Sequence, residues 1–331
     1  MLNVTLYSRP DCHLCEQAVA DLKAIQETIP HKLTIVDVDT QTTLKETYAL
    51  EIPVVEAGPF KLKAPFSRAE LQMTLGAAAD RLAHLEKIND KSYQQSVKRG
   101  QNISRADRVS YWISNHYLLV LNLFLLLYVG LPVLGPIFKQ AGWNMPAEIV
   151  YRIYRPLCHQ WSFRSWFLFG EQAYYPHDAA NIPGVVTFES ATGITDQNDP
   201  GRLQARLFEG NSQMGYKIAL CERDMAIWGA ILLFGIIYAI TGRRIPKLHW
   251  LIWILLGLGP VGLDGFSQLF SQVPLGFLNA ILPYRESTPF LRSLTGFIFG
   301  WTTGWFTIPL IEETMQETRQ LLAKKFAVLK S

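Results

Sequence analysis

The pattern of apolar positions changes character along the chain. Residues 1–85 carry short apolar runs separated by turn-forming residues. Residues 4–8, 33–38, 52–56 and 60–62 are rich in β-formers and predict four strands. Leu14, Ala18, Leu22 and Ile25 recur at spacings of three and four, which predicts a helix with those residues on its buried face. Residues 40–50 read as a second helix. Ser67-Arg68-Ala69-Glu70 has the spacing of a capping box that opens a third. The predicted order is βαβαββα.

From residue 117 the pattern becomes one of long uncharged runs. Residues 117–138, 225–241, 248–263 and 293–311 contain no Asp, Glu, Lys or Arg. A bilayer span needs roughly 20 residues, so these four predict an all-α polytopic membrane domain of about four transmembrane helices. The two middle runs are short and must borrow flanking residues. Residues 265–284 are also uncharged but hold Ser267, Gln268, Ser271, Gln272, Pro274 and Pro283. They read as an interfacial or re-entrant piece, and residues 149–170, with three arginines, as an amphipathic stretch. The organisation expected is an α/β domain at 1–85, a basic juxtamembrane linker at 86–108, the membrane domain at 109–312 and a tail at 313–331.

Charge adds orientation. A net charge of +3 over 331 residues gives no electrostatic footprint for nucleic acid. Basic residues cluster before the first run (Lys87, Lys91, Lys98, Arg99, Arg105, Arg108), after the second (Arg243, Arg244, Lys247) and after the fourth (Lys324, Lys325). The positive-inside rule places all three segments in the cytoplasm. No signal-peptide pattern precedes the first strand, which agrees with a cytoplasmic N-terminal domain in a multi-pass protein of the cell membrane. Residues 139–224 are then external.

The chain has only four cysteines, so each is a candidate for chemistry rather than for a disulfide scaffold. Cys12-His13-Leu14-Cys15 follows the first strand and opens the first helix. The element order is that of the thioredoxin superfamily, in which such a pair sits at a helix N-terminus, where unpaired N–H groups and the dipole favour a thiolate. Cys12 is expected to be the nucleophile and Cys15 the resolving thiol, with Pro53 of Ile52-Pro53 at the position that faces them. With Leu6-Tyr7-Ser8-Arg9-Pro10-Asp11, Glu16 and Pro65-Phe66-Ser67, this stretch resembles the glutaredoxin-like family over about 80 residues. The resemblance implies redox exchange with a cytoplasmic thiol reductant. His13-Leu14 replaces the usual Pro-Tyr, and no Gly-Gly turn follows Ile52-Pro53-Val54, which leaves glutathione use open.

A second group of reactive residues lies on the external side. Cys158-His159-Gln160, Arg164-Ser165, Cys221-Glu222-Arg223-Asp224, Asp264-Gly265 with Gln268, Arg285-Glu286-Ser287-Thr288 and Arg292 flank the apolar runs. Charges at span ends are costly unless paired or facing a cavity, which marks them as functional candidates. Thiolate, imidazole and carboxylate together suit zinc or iron. Cys158, His159, Cys221 and Asp224 are therefore candidate metal ligands. Arg164, Asp264, Gln268, Arg285, Glu286 and Arg292 are candidate substrate-binding residues. Structural readings stand beside these: an inert buried Cys158, an Asp264–Arg292 pair holding two spans, Glu286 as a helix cap. The same motifs resemble a family of predicted membrane proteins, the domain of unknown function 2085, over roughly residues 105–312. Asp224 stands where that family commonly has a second cysteine, so a disulfide within this motif is excluded here.

These observations predict a membrane-bound thiol/disulfide or metal-dependent oxidoreductase. The alternative is a transporter or channel with a cytoplasmic redox sensor, and a third reading is a non-catalytic assembly module. If the dithiol is inside and the second centre outside, about 30 Å of hydrocarbon separates them. Electrons would then need a quinone or similar carrier in the lipid bilayer.

Overall fold

The computed structural model describes residues 1–88, 91–196, 199–272 and 284–330. They divide into two compact units, one of Met1–His116 with Glu313–Ser331 and one of Tyr117–Glu312.

The first unit is built on a four-stranded sheet. Its strands are β1 (Leu2–Ser8), β2 (His31–Asp37), β3 (Val54–Ala57) and β4 (Phe60–Lys63), in the order β2-β1-β3-β4. β1 runs parallel to β2 and antiparallel to β3, and β3 is antiparallel to β4. The helices are α1 (His13–Ile25), α2 (Thr42–Tyr48) and α3 (Arg68–Lys87). The βαβαββα order is therefore as the pattern predicts. Ser67 and Glu70 form the expected capping box.

Strand alternation divides the core. Leu2, Val4, Leu6, Val55 and Ala57 pack on one face with Ala18, Leu22 and Ile25 of α1 and Leu71, Leu75 and Ala78 of α3. One helix position differs from the expected stripe. Leu14 is 53% exposed, and Cys15 takes its place in the core.

The other face holds Tyr7, Val36 and Val54, and α2 is only seven residues long. So short a helix leaves apolar surface uncovered. Residues 313–331, expected to form a tail, supply the missing cover. Ala323 and Ala327, one turn apart, join Tyr7, Leu44, Tyr48 and Val54 in a second cluster. Between them Lys324 Nζ reaches Glu56 at 2.9 Å, the carboxylate that also accepts the hydroxyls of Tyr7 and Tyr48 at 3.2 and 3.0 Å. Burial, reinforced by that carboxylate, pushes both phenols up in pKa. Lys325 pairs with Asp107, and Arg319 donates to the Ser114 carbonyl.

Four helices are long and apolar enough to cross a membrane. They are α5 (Arg105–Gln140), reached from α3 through α4 (Lys91–Gly100), then α9 (Glu222–Ile240), α10 (Trp250–Ser271) and α11 (Pro289–Lys330). All are longer than the uncharged runs, because polar end-residues join the helices. The third run does not stop at 263. α10 continues through Ser271, so residues 265–271 extend that helix rather than opening an interfacial piece. Residues 273–283 of that piece lie outside the described residues. Within α10, Trp253–Leu258 is wound as a π-helix just before Gly259-Pro260. Pro260 has no N–H to donate back, which favours such a local rewinding.

Small residues let these helices approach. Gly296, Gly300 and Gly304 recur every fourth residue on α11 against α9. A Cβ on Gly300 would lie 2.1 Å from the Ile227 carbonyl oxygen, and one on Gly296 2.8 Å from that of Arg223. This is the small-xxx-small packing of membrane helices, which gain from close backbone contact where lipid removes the hydrophobic drive.

Between α5 and α9 the chain forms α6 (Asn144–Tyr154), β5 (Phe167–Leu168), α7 (Phe188–Thr192), α8 (Asp199–Leu207), β6 (Gly210–Asn211) and β7 (Gly215–Lys217). The strands make a small sheet in the order β5-β7-β6. Phe163, Phe167, Tyr175, Phe188, Ala205 and Met214 give this segment a core of its own, so the polar stretches 178–196 and 199–211 fold over an aromatic nucleus.

Candidate functional site

The dithiol sits where β1 hands over to α1. Cys12 is the N-cap of α1, with extended backbone, and its Sγ accepts the Cys15 N–H at 3.3 Å. Cys12 is half-buried and Cys15 is 2% exposed. The two are joined as a disulfide. Solvent thus meets Cys12 first, and the position that caps the helix is the one that gains most from its dipole. Ile52–Pro53 is a cis peptide. Pro53, Leu14, Gln17 and Phe66 line a cleft of about 50 Å³ along α1.

In the second unit, Cys158, Cys221 and Asp224 present their ligand atoms within 4.8 Å of one another. Cys158 follows the last turn of α6, and its N–H bonds to the Tyr154 carbonyl. Cys221 is the N-cap of α9, and Asp224 stands one turn on, so thiol and carboxylate emerge on the same side. Interaction with the neighbouring Cys221 thiol holds Cys158 below the usual thiol range, whereas Cys221, beside Cys158 and buried besides, is pushed well up and keeps its proton.

His159 is not part of this group and is exposed. The reason is local. Gln160 adopts a left-handed backbone, with φ 54°, and turns inward, where its amide donates to the Tyr151 and Ala219 carbonyls at 3.0 and 2.9 Å. Anchoring Gln160 and Cys158 inside sends the residue between them outward. His159 thus lies apart from the three clustered ligands.

The candidate substrate-binding residues do come together, as a network of ions. Arg164 forks onto Glu286 at 2.6 and 2.8 Å. Glu286 also accepts from Gln268 and lies 3.5 Å from Arg292. Asp264 receives Arg285 at 2.9 Å, Ser287 at 2.9 Å and Arg223. The expected Asp264–Arg292 pair is thus replaced: Asp264 is answered by Arg223 and Arg285, and Arg292 turns to Glu286 and Glu222. Glu286 is held by side chains from three segments rather than acting as a simple helix cap. Asp264 and Gln268, one turn apart on α10, supply one wall, and residues 285–287 ahead of α11 supply the other.

Sequence reasoning placed Glu222, Arg223 and Ser287 in their motifs and Ser267 in the polar piece, but gave none of the four a role in the site. Charged residues in the first turn of a helix are common, and nothing in their spacing shows that they point into the bundle. Glu222 and Arg292 are 1% and 6% exposed and 4.0 Å apart, too far for a hydrogen bond. Among the described residues, both Glu222 carboxylate oxygens and the Arg292 Nε and Nη1 have no hydrogen-bond partner. Such buried groups retain unspent polar capacity.

Lys217 at the end of β7 is also buried, and desolvation pushes its pKa down to about 7. Its three donors meet the Gln160 carbonyl, the Ser162 hydroxyl and the Arg206 carbonyl at 2.8, 3.1 and 2.7 Å. With its valences filled, Lys217 fastens the segment that carries Cys158 to β7.

Comparison with known proteins matches each half separately. Residues 3–76 match the Glutaredoxin-like domain (DUF836), and residues 212–306 match the Predicted membrane protein family (DUF2085). The chain is a glutaredoxin-like domain fused to a predicted membrane domain. The membrane match is narrower than the resemblance over 105–312. It takes in Cys221, Asp224, Asp264, Gln268, Arg285, Glu286 and Arg292, but not Cys158, His159 or Arg164. An uncharacterized protein of Methanocaldococcus jannaschii is 26% identical over 210 residues, which are 61% of this chain and 96% of that relative. No solved structure matches the chain.

Proposed function

We propose that this protein is a membrane-bound thiol–disulfide oxidoreductase whose glutaredoxin-like domain works in the cytoplasm. The carrying observation is the asymmetry of the dithiol, with Cys12 capping α1 and partly open to solvent and Cys15 buried one turn later. In the reduced protein the Cys12 thiolate attacks a substrate disulfide and displaces one substrate thiolate. The Cys15 thiolate then attacks Cys12 Sγ in the mixed disulfide. The substrate leaves as a dithiol, and the Cys12–Cys15 disulfide remains, two electrons having passed to the substrate. A cytoplasmic dithiol reductant restores the pair by the reverse exchange. A membrane quinone is the carrier proposed for electrons that must cross the bilayer.

The test is the pH profile of alkylation of the reduced full-length chain. Cys12 should react with a midpoint well below about 8.5, the free-thiol value, and Cys15 should react far more slowly. A Cys12 midpoint at or above that value would remove the redox role.

Orientation has its own expected outcome. Cysteines placed at Gln101 and Gly242 should be protected from an impermeant reagent in intact cells, and one at Gln213 should be labelled. Labelling at Gln101 would put the glutaredoxin-like domain outside.

A second reading, a transporter whose redox domain senses rather than catalyses, is favoured by the unspent Glu222–Arg292 pair and by the π-helical stretch in α10. Both are features of substrate paths through membranes. Under that reading Cys12→Ser leaves flux intact but insensitive to redox state.

A further inference from the structure

We propose that Cys158, Cys221 and Asp224 bind one thiophilic divalent cation of the zinc class, with a fourth position left to water or a small ligand. This centre is separate from the Cys12–Cys15 chemistry and stands or falls independently of it.

Three observations carry the proposal. The first is geometry. Around zinc, sulfur ligands lie at about 2.3 Å and oxygen at about 2.0–2.2 Å, so neighbouring ligands in a tetrahedron are about 3.5–4 Å apart. The three ligand atoms already lie within 4.8 Å of one another, and a contraction of at most about 1.3 Å closes the shell.

The second is charge. Nearby, Asp264 is met by Arg223 and Arg285, Glu286 by Arg164, Glu209 by Lys139, and Glu222 by Arg292 at 4.0 Å. Among the described residues Asp224 forms no ion pair. It stands beside two thiols, one of which, Cys158, shares a buried cluster with Ala147, Val150, Tyr154, Ala219 and Leu220, while the cation nearest them, Lys217, has its three donors taken up by other groups. A carboxylate next to ionisable sulfurs in such a place calls for a cation.

The third is support. The Gln160 side-chain amide donates to the Tyr151 and Ala219 carbonyls at 3.0 and 2.9 Å, and Lys217 Nζ donates to the Gln160 carbonyl at 2.8 Å, which ties the turn after Cys158 to the residues just ahead of Cys221. Contacts of this kind hold the ligand-bearing segments in place before any metal arrives. Two sulfurs and one oxygen favour zinc or ferrous iron over magnesium or calcium, which take oxygen alone. Three protein ligands with an open position is the arrangement of catalytic rather than structural zinc.

The experiment uses the full chain purified in detergent without chelator. Elemental analysis should find about one zinc per chain, and Cys158 and Cys221 should resist alkylation until a chelator is added. After metal removal, Co²⁺ should bind with the near-ultraviolet charge-transfer band of thiolate ligation. Asp224→Ala should weaken zinc binding by about a hundredfold, and Asp224→Cys should retain or tighten it. Because Asp224→Cys is read as retained binding, misfolding cannot mimic it. His159→Ala should leave metal content unchanged. Thiols freed by reductant rather than by chelator, with no stoichiometric metal, would replace the metal with a Cys158–Cys221 disulfide. Thiols alkylated at once, with no metal and no cobalt band, would leave only two buried cysteines.

Discussion

Glu286→Ala is expected to cost the membrane unit about 3–5 kcal/mol, the usual penalty for breaking a buried ion pair from one side. Glu286 is almost wholly buried and collects Arg164, Arg292 and Gln268 from three separate segments. Its loss strands Arg292, itself buried, whose Nε and Nη1 already have no hydrogen-bond partner among the described residues. Arg164→Ala should cost much less. The Arg164 side chain is 24% exposed, and Glu286 would keep Arg292 and Gln268. The measurement is the apparent melting temperature of the two variants in one detergent, followed by tryptophan fluorescence. Equal shifts would mean that Glu286 is not the hub of the network.

The second large effect is expected at Gly300, where a leucine should separate α11 from α9. A Cβ there would lie 2.1 Å from the Ile227 carbonyl oxygen and 2.8 Å from that residue's carbonyl carbon, and backbone cannot move aside as a flexible side chain can. The helices must part by more than an ångström. Close van der Waals contact is what holds helices together in lipid. Arg223 on α9 and Arg292 on α11 would separate with them, so the ion network should loosen as well. Gly229→Leu on α9 is the control, because a Cβ there meets nothing within 4 Å. Cross-linking of cysteines placed on facing turns of α9 and α11 should fail for Gly300→Leu and persist for Gly229→Leu. Cross-linking that survives at Gly300 would show that this glycine stripe does not set the interface.

Much of this arrangement is local, and local physics is legible in a sequence. The alternation of Leu2, Val4 and Leu6, the capping box at Ser67 and the Cys12 N-cap each follow from residues a few positions apart. Their geometry is fixed by backbone period. The four spans are equally legible, because hydrocarbon allows only long uncharged helices. The order of the first seven elements and the gathering of reactive residues at the span ends therefore needed no coordinates.

Pairing across long separations was decided by the tertiary structure. Nothing in the sequence tells whether Asp264 meets Arg292 or Arg223, since all are charges at span ends. Helix packing at Gly296 and Gly300 brings α9 against α11 and settles it. His159 carried metal-ligand chemistry beside a cysteine, but the buried amide of Gln160 turned it outward. Leu14 matched the helical period, yet the dithiol needed its place. The last residues of the chain looked like a charged tail. Their two alanines one turn apart carry too little apolar surface to announce a core, and only the uncovered face of the β-sheet shows where they belong.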